Sequence, residues 1–556
     1  MVKRVFNFVY QEVRGLHQAA YVLALFAFAS QLLAIVRDRL LAHTFGAGGE
    51  LDIYYAAFRI PDLLFVLFAS ALSVFVLLPF VTQKAENDGS KEGARVLSQM
   101  FTLFLFVYSA LAVALALSAP FYVSYVFPGL ADSAETLTML IQILLLQPLL
   151  LGISSLCGVV TQMKHRFVLY AISPLLYNVG IIVGVIFFYP AVGLVGLAYG
   201  VVLGALGHVV VQLPYVWGSE FRFRNSKTLD WKLIGSILKV AVPRALTLST
   251  NQLVMLVMIS IATIMTVGSV AVFQFAANLQ SVPLAIIGVS YSVAAFPTLS
   301  SLFAKQDKNG FNTQLLTAFR HIIFWSIPIV ALIVVLRAQI VRVLLGSGEF
   351  DWSDTRLTAA VLAVFVVSLA AQAILLLLTR AFYACGRTFT PLWIALFSGS
   401  ISIALAFFLR NVYMASPDLQ SFVETSLRLS SVTGSEVLVL VFAFICGQFI
   451  QLSLMMVMSV RLFGINYSIL YRLFWQAVVA AVAGGTATYG TLRFIVDGVN
   501  QYTFLGILLQ GVVAGVVGVI TVFAVYYLFR SQELKEIYNS YKSRITRIPR
   551  SDASTT

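Results

Sequence analysis

Apolar runs of about 20 residues recur from one end of this chain to the other, and each is long enough to cross a ~30 Å hydrocarbon core. In lipid a backbone must satisfy its own hydrogen bonds, which leaves only helices and closed barrels. The runs here are continuous and lack the ten-residue alternation of a barrel strand. Of 556 residues, 60% are hydrophobic and 11% charged, against about 25% charged in soluble domains, and mean hydropathy is +0.93. The chain reads as an all-α polytopic membrane protein.

Fourteen spans are expected, near 16–36, 51–82, 96–127, 136–162, 167–189, 192–217, 234–266, 269–304, 313–345, 356–384, 390–410, 435–461, 468–492 and 502–529. Those above 25 residues predict tilting, kinking or extension beyond the bilayer. Charge tests the count. With the N-terminus inside, 25 of the 36 basic residues fall in cytoplasmic segments, among them Lys164, Arg166, Arg222, Arg224 and the tail after Arg530. Six fall outside: Arg37, Arg39, Arg356, Arg410, Arg428 and Arg493. This asymmetry is the positive-inside pattern, and one span more or fewer would scramble it. It also accounts for the net charge of +13 without nucleic acid. The basic N-terminus "MVKRVFNFVYQEVRG" precedes a long apolar stretch with no small-residue cleavage site soon after it, which predicts a retained first helix.

A weak internal repeat suggests how the spans are arranged. "YYAAFRIPDLL" (54–64) echoes "QFAANLQSVPLA" (274–285), with the Ala pairs 220 residues apart, and Arg166 and Arg387 sit in matching loops. Six helices separate the copies, so the halves are parallel, as in some transporters. The expected organisation is an N-lobe over 1–225, a C-lobe over 226–465, two further helices over 466–530 and a basic cytoplasmic tail over 531–556. Two six-helix lobes related by a pseudo-twofold axis predict alternating access.

Other chemistries find little support. There is no GxxxxGK[ST] loop. "FGAGG" (45–49) reads as a turn between helices 1 and 2, where glycine supplies backbone freedom. Cys157, Cys385 and Cys446 have no metal or redox spacing and read as buried packing thiols. The five histidines, His17, His43, His165, His208 and His321, are dispersed. No metal site, cofactor or nucleophile–base pair is expected, so the chain does not read as an enzyme. The external segment 411–434 reads as a mobile loop.

The candidate site lies where charge enters the apolar runs. Arg37, Asp38 and Arg39 are consecutive at the end of the first. They read either as an external loop in the headgroups or as an unwound helix end facing a cavity. Ionisable groups at membrane depth cost ~2.5–3.5 kcal/mol on insertion scales, so they face protein or water. The second span, "LDIYYAAFRIPDLLFVLF", carries Asp52, Arg59 and Asp62. Pro61 predicts a kink, and Arg59 and Asp62, three apart, can share a face and pair. "AVPRALTLSTNQ" (241–252) places Arg244 beside Pro243, either in the cavity or snorkelling to the surface. A cavity holding Arg37, Arg59 and Arg244 suits an anionic substrate, because the guanidinium fork binds phosphate oxygens bidentately.

The stretch "SQLLAIVRDRLLAHTFGAGGELDIYYAAFRIPDLLFVLFASALSVFVLLP" (30–79) resembles the first two helices of the MurJ/MviN family of lipid II flippases, in the MOP exporter superfamily. Arg37-Asp38, Phe45-Gly46-Ala47-Gly48, Asp52, Ala57-Phe58-Arg59 and Pro61 match the family pattern. "AANLQSVPLAIIGVSYSVAAFPTLS" (276–300) resembles its eighth helix. The resemblance implies a V-shaped cavity between two six-helix lobes and a groove from helices 13 and 14 for a polyprenyl tail. It implies an undecaprenyl-pyrophosphate-linked peptidoglycan precursor as substrate, cavity arginines on the pyrophosphate, and the bacterial cytoplasmic membrane as location. The chain is divergent: Gln31, Phe65, Val66 and Asn278 stand where the family has arginines.

Three functions follow as expectations. The first is a flippase for a lipid-linked anionic glycan, lipid II or a relative, with Arg37, Asp38, Arg39, Asp52, Arg59, Asp62 and Arg244 as substrate-binding residues. The second is an ion-coupled exporter of small molecules or another lipid-linked glycan, with Asp38, Asp52 and Asp62 as coupling acids. The third is a cell-wall scaffold that keeps the fold without transport. Membrane lipids are expected partners, and either a coupling ion or the membrane potential, worth ~2.3 kcal/mol per charge per 100 mV, can supply the drive.

Overall fold

The computed structural model describes residues 12, 16–226, 228–495 and 503–546, and most of these residues are helical with no strand among them. The basic N-terminal residues Lys3 and Arg4, Lys227, and Arg547 and Arg550 of the tail lie outside the described residues.

In chain order the helices are α1 (Leu16–Phe45), α2 (Gly49–Ala57), α3 (Arg59–Leu72) and α4 (Val74–Asp88). There follow α5 (Ser90–Val126), α6 (Pro128–Met163), α7 (Phe167–Val192), α8 (Val195–Gly218), α9 (Trp231–Thr263) and α10 (Ser269–Ala304). Next come α11 (Lys308–Leu344), α12 (Trp352–Ala384) and α13 (Phe389–Ala415), then the short α14 (Pro417–Leu427). The chain ends with α15 (Val437–Phe463), α16 (Tyr467–Phe494), α17 (Phe504–Leu528) and α18 (Gln532–Thr546). Among the described residues 13 helices are long and apolar enough to cross a membrane.

The expected span 51–82 is not one of these, because it is broken into α2, α3 and α4. Pro61 cannot donate to the carbonyl four residues back. The helix is interrupted just before it at Phe58, and again at Ser73, whose backbone is extended (φ −66°, ψ 146°). The first span shows the opposite correction. Arg37, Asp38 and Arg39 lie neither in a loop nor in an unwound end, since α1 runs on through them to Phe45. Two lesser expectations also change. Cys157 and Cys385 are buried, but Cys446 is exposed. Residues 417–427 of the external segment form α14, which opens on a proline and ends at Arg428 in the left-handed region. Its Glu424 accepts from Ser435 Oγ at 2.7 Å, and Ser435 in turn accepts from the Tyr413 hydroxyl at 2.9 Å.

The chain falls into two compact units. The first comprises residues 1–275, 344–358 and 388–444. Within it α7 and α8 cross closely enough that a Cβ at Gly180 would meet the Gly204 Cα at 2.3 Å, the small-residue packing that brings membrane helices together. α6 and α8 are joined by buried polar groups: Ser154 Oγ lies 2.6 Å from His208 Nδ1 and accepts from Gln212 Nε2 at 2.6 Å. α9 starts at Asp230, whose carboxylate accepts from the Lys232 and Leu233 N–H groups at 3.0 and 3.2 Å, an N-cap. It packs along α3 and α13.

The second unit comprises 276–343, 359–387 and 445–556. Within it α16 and α17 pack together. The Tyr526 ring of α17 stacks on Phe324 of α11 at 4.2 Å, and its hydroxyl donates to the Phe324 carbonyl at 2.8 Å. α18 docks on α11 through Arg320, whose Nε donates to Glu533 at 2.7 Å, and His321, whose Nε2 lies 3.1 Å from Glu536.

Candidate functional site

All seven charged candidates lie in the first unit. Arg37 donates from Nε and from its terminal nitrogen to one carboxylate oxygen of Asp38, at 2.9 and 2.8 Å. Its other terminal nitrogen donates to Asn178 Oδ1 of α7 at 3.1 Å. Asn178 in turn donates to Ser30 Oγ at 3.3 Å. Asp38 is buried, and Arg37 keeps 20% of its side-chain surface exposed. Arg39, on the same turn, is half-buried.

Arg59 sits at the break between α2 and α3 and is only 8% exposed. Its Nε donates to the Tyr55 carbonyl at 3.2 Å, and a terminal nitrogen donates to the Gln274 side-chain oxygen of α10. Both acceptors are neutral. The expected Arg59–Asp62 pair does not form within 4 Å, and Asp62, half-buried, is bonded to Gln147 instead. Among the described residues no carboxylate stands within 4 Å of the Arg59 guanidinium.

Asp52 is 4% exposed and committed elsewhere: its two oxygens accept from the Gly268 and Ala271 N–H groups at 2.6 and 2.8 Å. These belong to the orphan donors at the start of α10, where a carboxylate satisfies hydrogen bonds and meets the positive end of the helix dipole. Arg244, half-buried beside the buried Pro243, lies on α9, the helix that packs along α3.

Of the former arginine positions, Gln31, Phe65 and Val66 are half-buried in α1 and α3, and Asn278 belongs to the second unit. The partners that sequence reasoning missed are neutral: Asn178, Gln274, Gln147 and Ser30. Their one signal was an amide or hydroxyl inside an otherwise apolar run.

One end of this unit is knitted shut by close backbone contacts and two carboxylates. α1 ends at Gly46 with φ +60°, the left-handed cap, and a Cβ there would meet the Glu349 carbonyl at 2.7 Å. The Glu349 N–H donates to the His43 carbonyl at 3.0 Å, and the Ala47 N–H to Asp354 at 3.0 Å. A Cβ at Gly268 would lie 1.9 Å from the Ala47 carbonyl, and one at Gly129 would lie 1.8 Å from the Thr263 carbonyl. Glu436 accepts from the Thr266 N–H at 2.6 Å and its hydroxyl at 3.0 Å. The segments after the first, third, seventh, ninth and eleventh expected spans thus meet at one end.

Within the first unit, then, a half-buried arginine is paired with one carboxylate, a buried one is held by neutral oxygens, and a third lies on the neighbouring helix. The family model of the lipid II flippase MurJ matches residues 41–509. Relatives named probable lipid II flippase MurJ, from Buchnera aphidicola and Thermotoga maritima, are each 27% identical. They cover 67% and 68% of this chain and 74% and 76% of their own lengths. Among solved structures, the lipid II flippase MurJ in an inward closed conformation superposes with a TM-score of 0.71 at 19% identity, over 92% of this chain and 99% of that one. An inward-facing multidrug resistance MATE transporter of the MOP superfamily gives 0.64 at 14%, over 78% and 94%. These two likenesses carry the fold, and the family match carries the assignment: this chain belongs to the lipid II flippase MurJ family.

Proposed function

We propose that this protein moves a polyprenyl-pyrophosphate-linked peptidoglycan precursor, lipid II or a close relative, across the bacterial cytoplasmic membrane by alternating access. The observation that carries this reading is Arg59. A guanidinium held by neutral acceptors deep in an apolar bundle retains its full charge at a cost the fold must bear. A pyrophosphate would repay it with charge-assisted bidentate bonds. Arg37, Arg39 and Arg244 supply further positive charge, Asp38 orients Arg37, Asp52 fixes the start of α10, and Asp62 lies one turn from Arg59. The meeting of alternate connecting segments at one end supports fourteen crossings, with α2–α4 together making one, and both termini in the cytoplasm.

The test is rescue. The chain is expressed in a bacterium whose own lipid II flippase can be switched off, and lipid II in the outer leaflet is measured. Rescue by the parent, and failure of a normally expressed Arg37→Ala/Arg59→Ala/Arg244→Ala variant, is the expected result. A well-inserted parent that does not rescue overturns the lipid II assignment. A second reading, ion-coupled export of a small molecule, draws on Asp62, which has no cationic partner at ion-pair distance among the described residues. Proton- or sodium-dependent efflux from vesicles free of lipid substrate would favour it.

A further inference from the structure

The segment after α8 reads "SEFRFRNSK" (219–227), and its Phe and Arg residues alternate. Extended backbone sends successive side chains to opposite faces. The structure uses that period: Phe221 and Phe223 are 3% and 5% exposed, while Arg222 and Arg224 are exposed. The segment is strapped along α5. The Arg224 N–H donates to Ser98 Oγ at 3.2 Å, the Ser226 N–H to Thr102 Oγ1 at 2.8 Å, and Gln99 Nε2 to the Thr228 carbonyl at 3.3 Å. The Phe223 ring packs on Phe101 at 5.1 Å.

Between this strap and α5, α6 and α8 lies a cleft of about 720 Å³, within the size of small-ligand sites. Its walls are largely apolar, with Phe101, Ile153, Val209 and Leu213 among them, and Arg222, Arg224 and Trp217 also line it. Neither guanidinium forms an ion pair or side-chain hydrogen bond among the described residues. The nearby acid Glu220 is already paired with Lys164 at 2.5 Å, and that hydrogen bond holds its carboxyl below the usual range. Trp217 is 62% exposed, an aromatic of the kind that settles at the headgroup level of a bilayer. Two arginines two residues apart on extended backbone stand about 7 Å apart at their Cα atoms, close enough to share one phosphodiester.

We propose that this cleft binds an anionic phospholipid, with an acyl chain between α5, α6 and α8 and its phosphate held by Arg222 and Arg224. The site is separate from Arg37 and Arg59, and the proposal does not rest on the transported substrate.

The test uses the full chain in detergent, titrated with dioctanoyl phosphatidylglycerol, dioctanoyl phosphatidylcholine or inorganic phosphate, with bound lipid counted by native mass spectrometry. The parent is expected to bind the glycerol lipid about tenfold more tightly than the choline lipid. Arg222→Gln/Arg224→Gln should erase that preference at an unchanged unfolding temperature, because both side chains are exposed. Ile153→Trp should fill the cleft and weaken both lipids. Equal binding of the two lipids by the parent overturns the proposal, as does a preference that survives the double glutamine variant. Inorganic phosphate displacing the glycerol lipid at equal concentration would also overturn it, since it would show a headgroup site without an acyl pocket. If Ile153→Trp does not fold, the arginine variant and the headgroup series decide.

Discussion

A terminal nitrogen of Arg59 donates to the side-chain oxygen of Gln274, 215 residues away, so a full positive charge on α3 is held by a neutral amide on α10. Gln274→Glu would place a carboxylate where the amide stands and give Arg59 a partner of opposite charge. The expected outcome is a fall in flipping of about tenfold or more with stability kept or raised, because a buried ion pair opposes the binding of a second anion. Lipid II transport in the depleted host, with detergent unfolding temperature as the control, checks it. Transport at the parental level would mean that Arg59 does not meet the substrate's charge.

Asp52 makes a contrasting prediction. Its carboxylate accepts two backbone N–H groups at the start of α10. Asp52→Ala leaves both buried donors without this partner, and a lost cap of this kind costs about 1–2 kcal/mol. Thermal unfolding should register that loss. Substrate affinity, measured on the fraction that remains folded, should change far less than it does for Arg59→Gln.

Glycine tolerance separates the knitted end from ordinary turns. Gly268→Ala combines φ +92° with a Cβ 1.9 Å from the Ala47 carbonyl, so the backbone must move and little folded protein should accumulate. Gly193→Ala also has positive φ, +69°, but nothing within 4 Å of its added Cβ. Its ψ of −152° puts it in a region that glycine alone adopts readily, so the change should cost about 1–3 kcal/mol from backbone strain without any steric clash. Yields and unfolding temperatures of the two variants, side by side, are the measurement.

The docking of α18 should depend on pH. Burial alone would push the Glu533 carboxyl up. Hydrogen bonds from Ser531, from its own backbone and from Arg320, together with the Arg320 charge, outweigh that and hold it below the ordinary value. A depressed carboxyl stabilises the folded state above its unfolded pKa, about 4.3, and the contribution fades as pH falls through the lower folded value. Amide protection across 532–546, taken relative to the intrinsic exchange rate at each pH, should therefore be high at neutral pH and fall below about pH 4. Glu533→Gln should exchange faster than the parent at neutral pH and lose most of this acid dependence.

The fold class was legible because a lipid-spanning helix writes itself as an unbroken apolar run. The site was legible in part. Arg37, Arg59 and Asp52 stood out as charges where charge is costly. Yet consecutive charges also mark loops, and nothing in the run itself reveals that α1 continues through Arg37–Arg39 and that Arg37 reaches Asn178, 141 residues away. Arg59 and Asp62 had the spacing of a pair, but the break at Phe58 leaves Arg59 bonded to Tyr55 and Gln274. Asp52 read as a ligand because nothing in its own run reveals the bare N–H groups of α10. The alternation in "FRFRN" was visible from the start and passes easily for an ordinary basic loop.

The knitted end of the first unit has a mechanical consequence. Its tightest contacts are backbone on backbone, with Gly46 against Glu349, Gly129 against Thr263 and Gly268 against Ala47, and the Asp354 and Glu436 carboxylates tie in beside them. A fastening made of side chains can loosen one rotamer at a time. One made of main chain has no slack, and it parts only when the helices beneath it shift as rigid rods. Opening this end would therefore require α1 and α9 to shift bodily, and thermal flicker of side chains at the rim would not suffice.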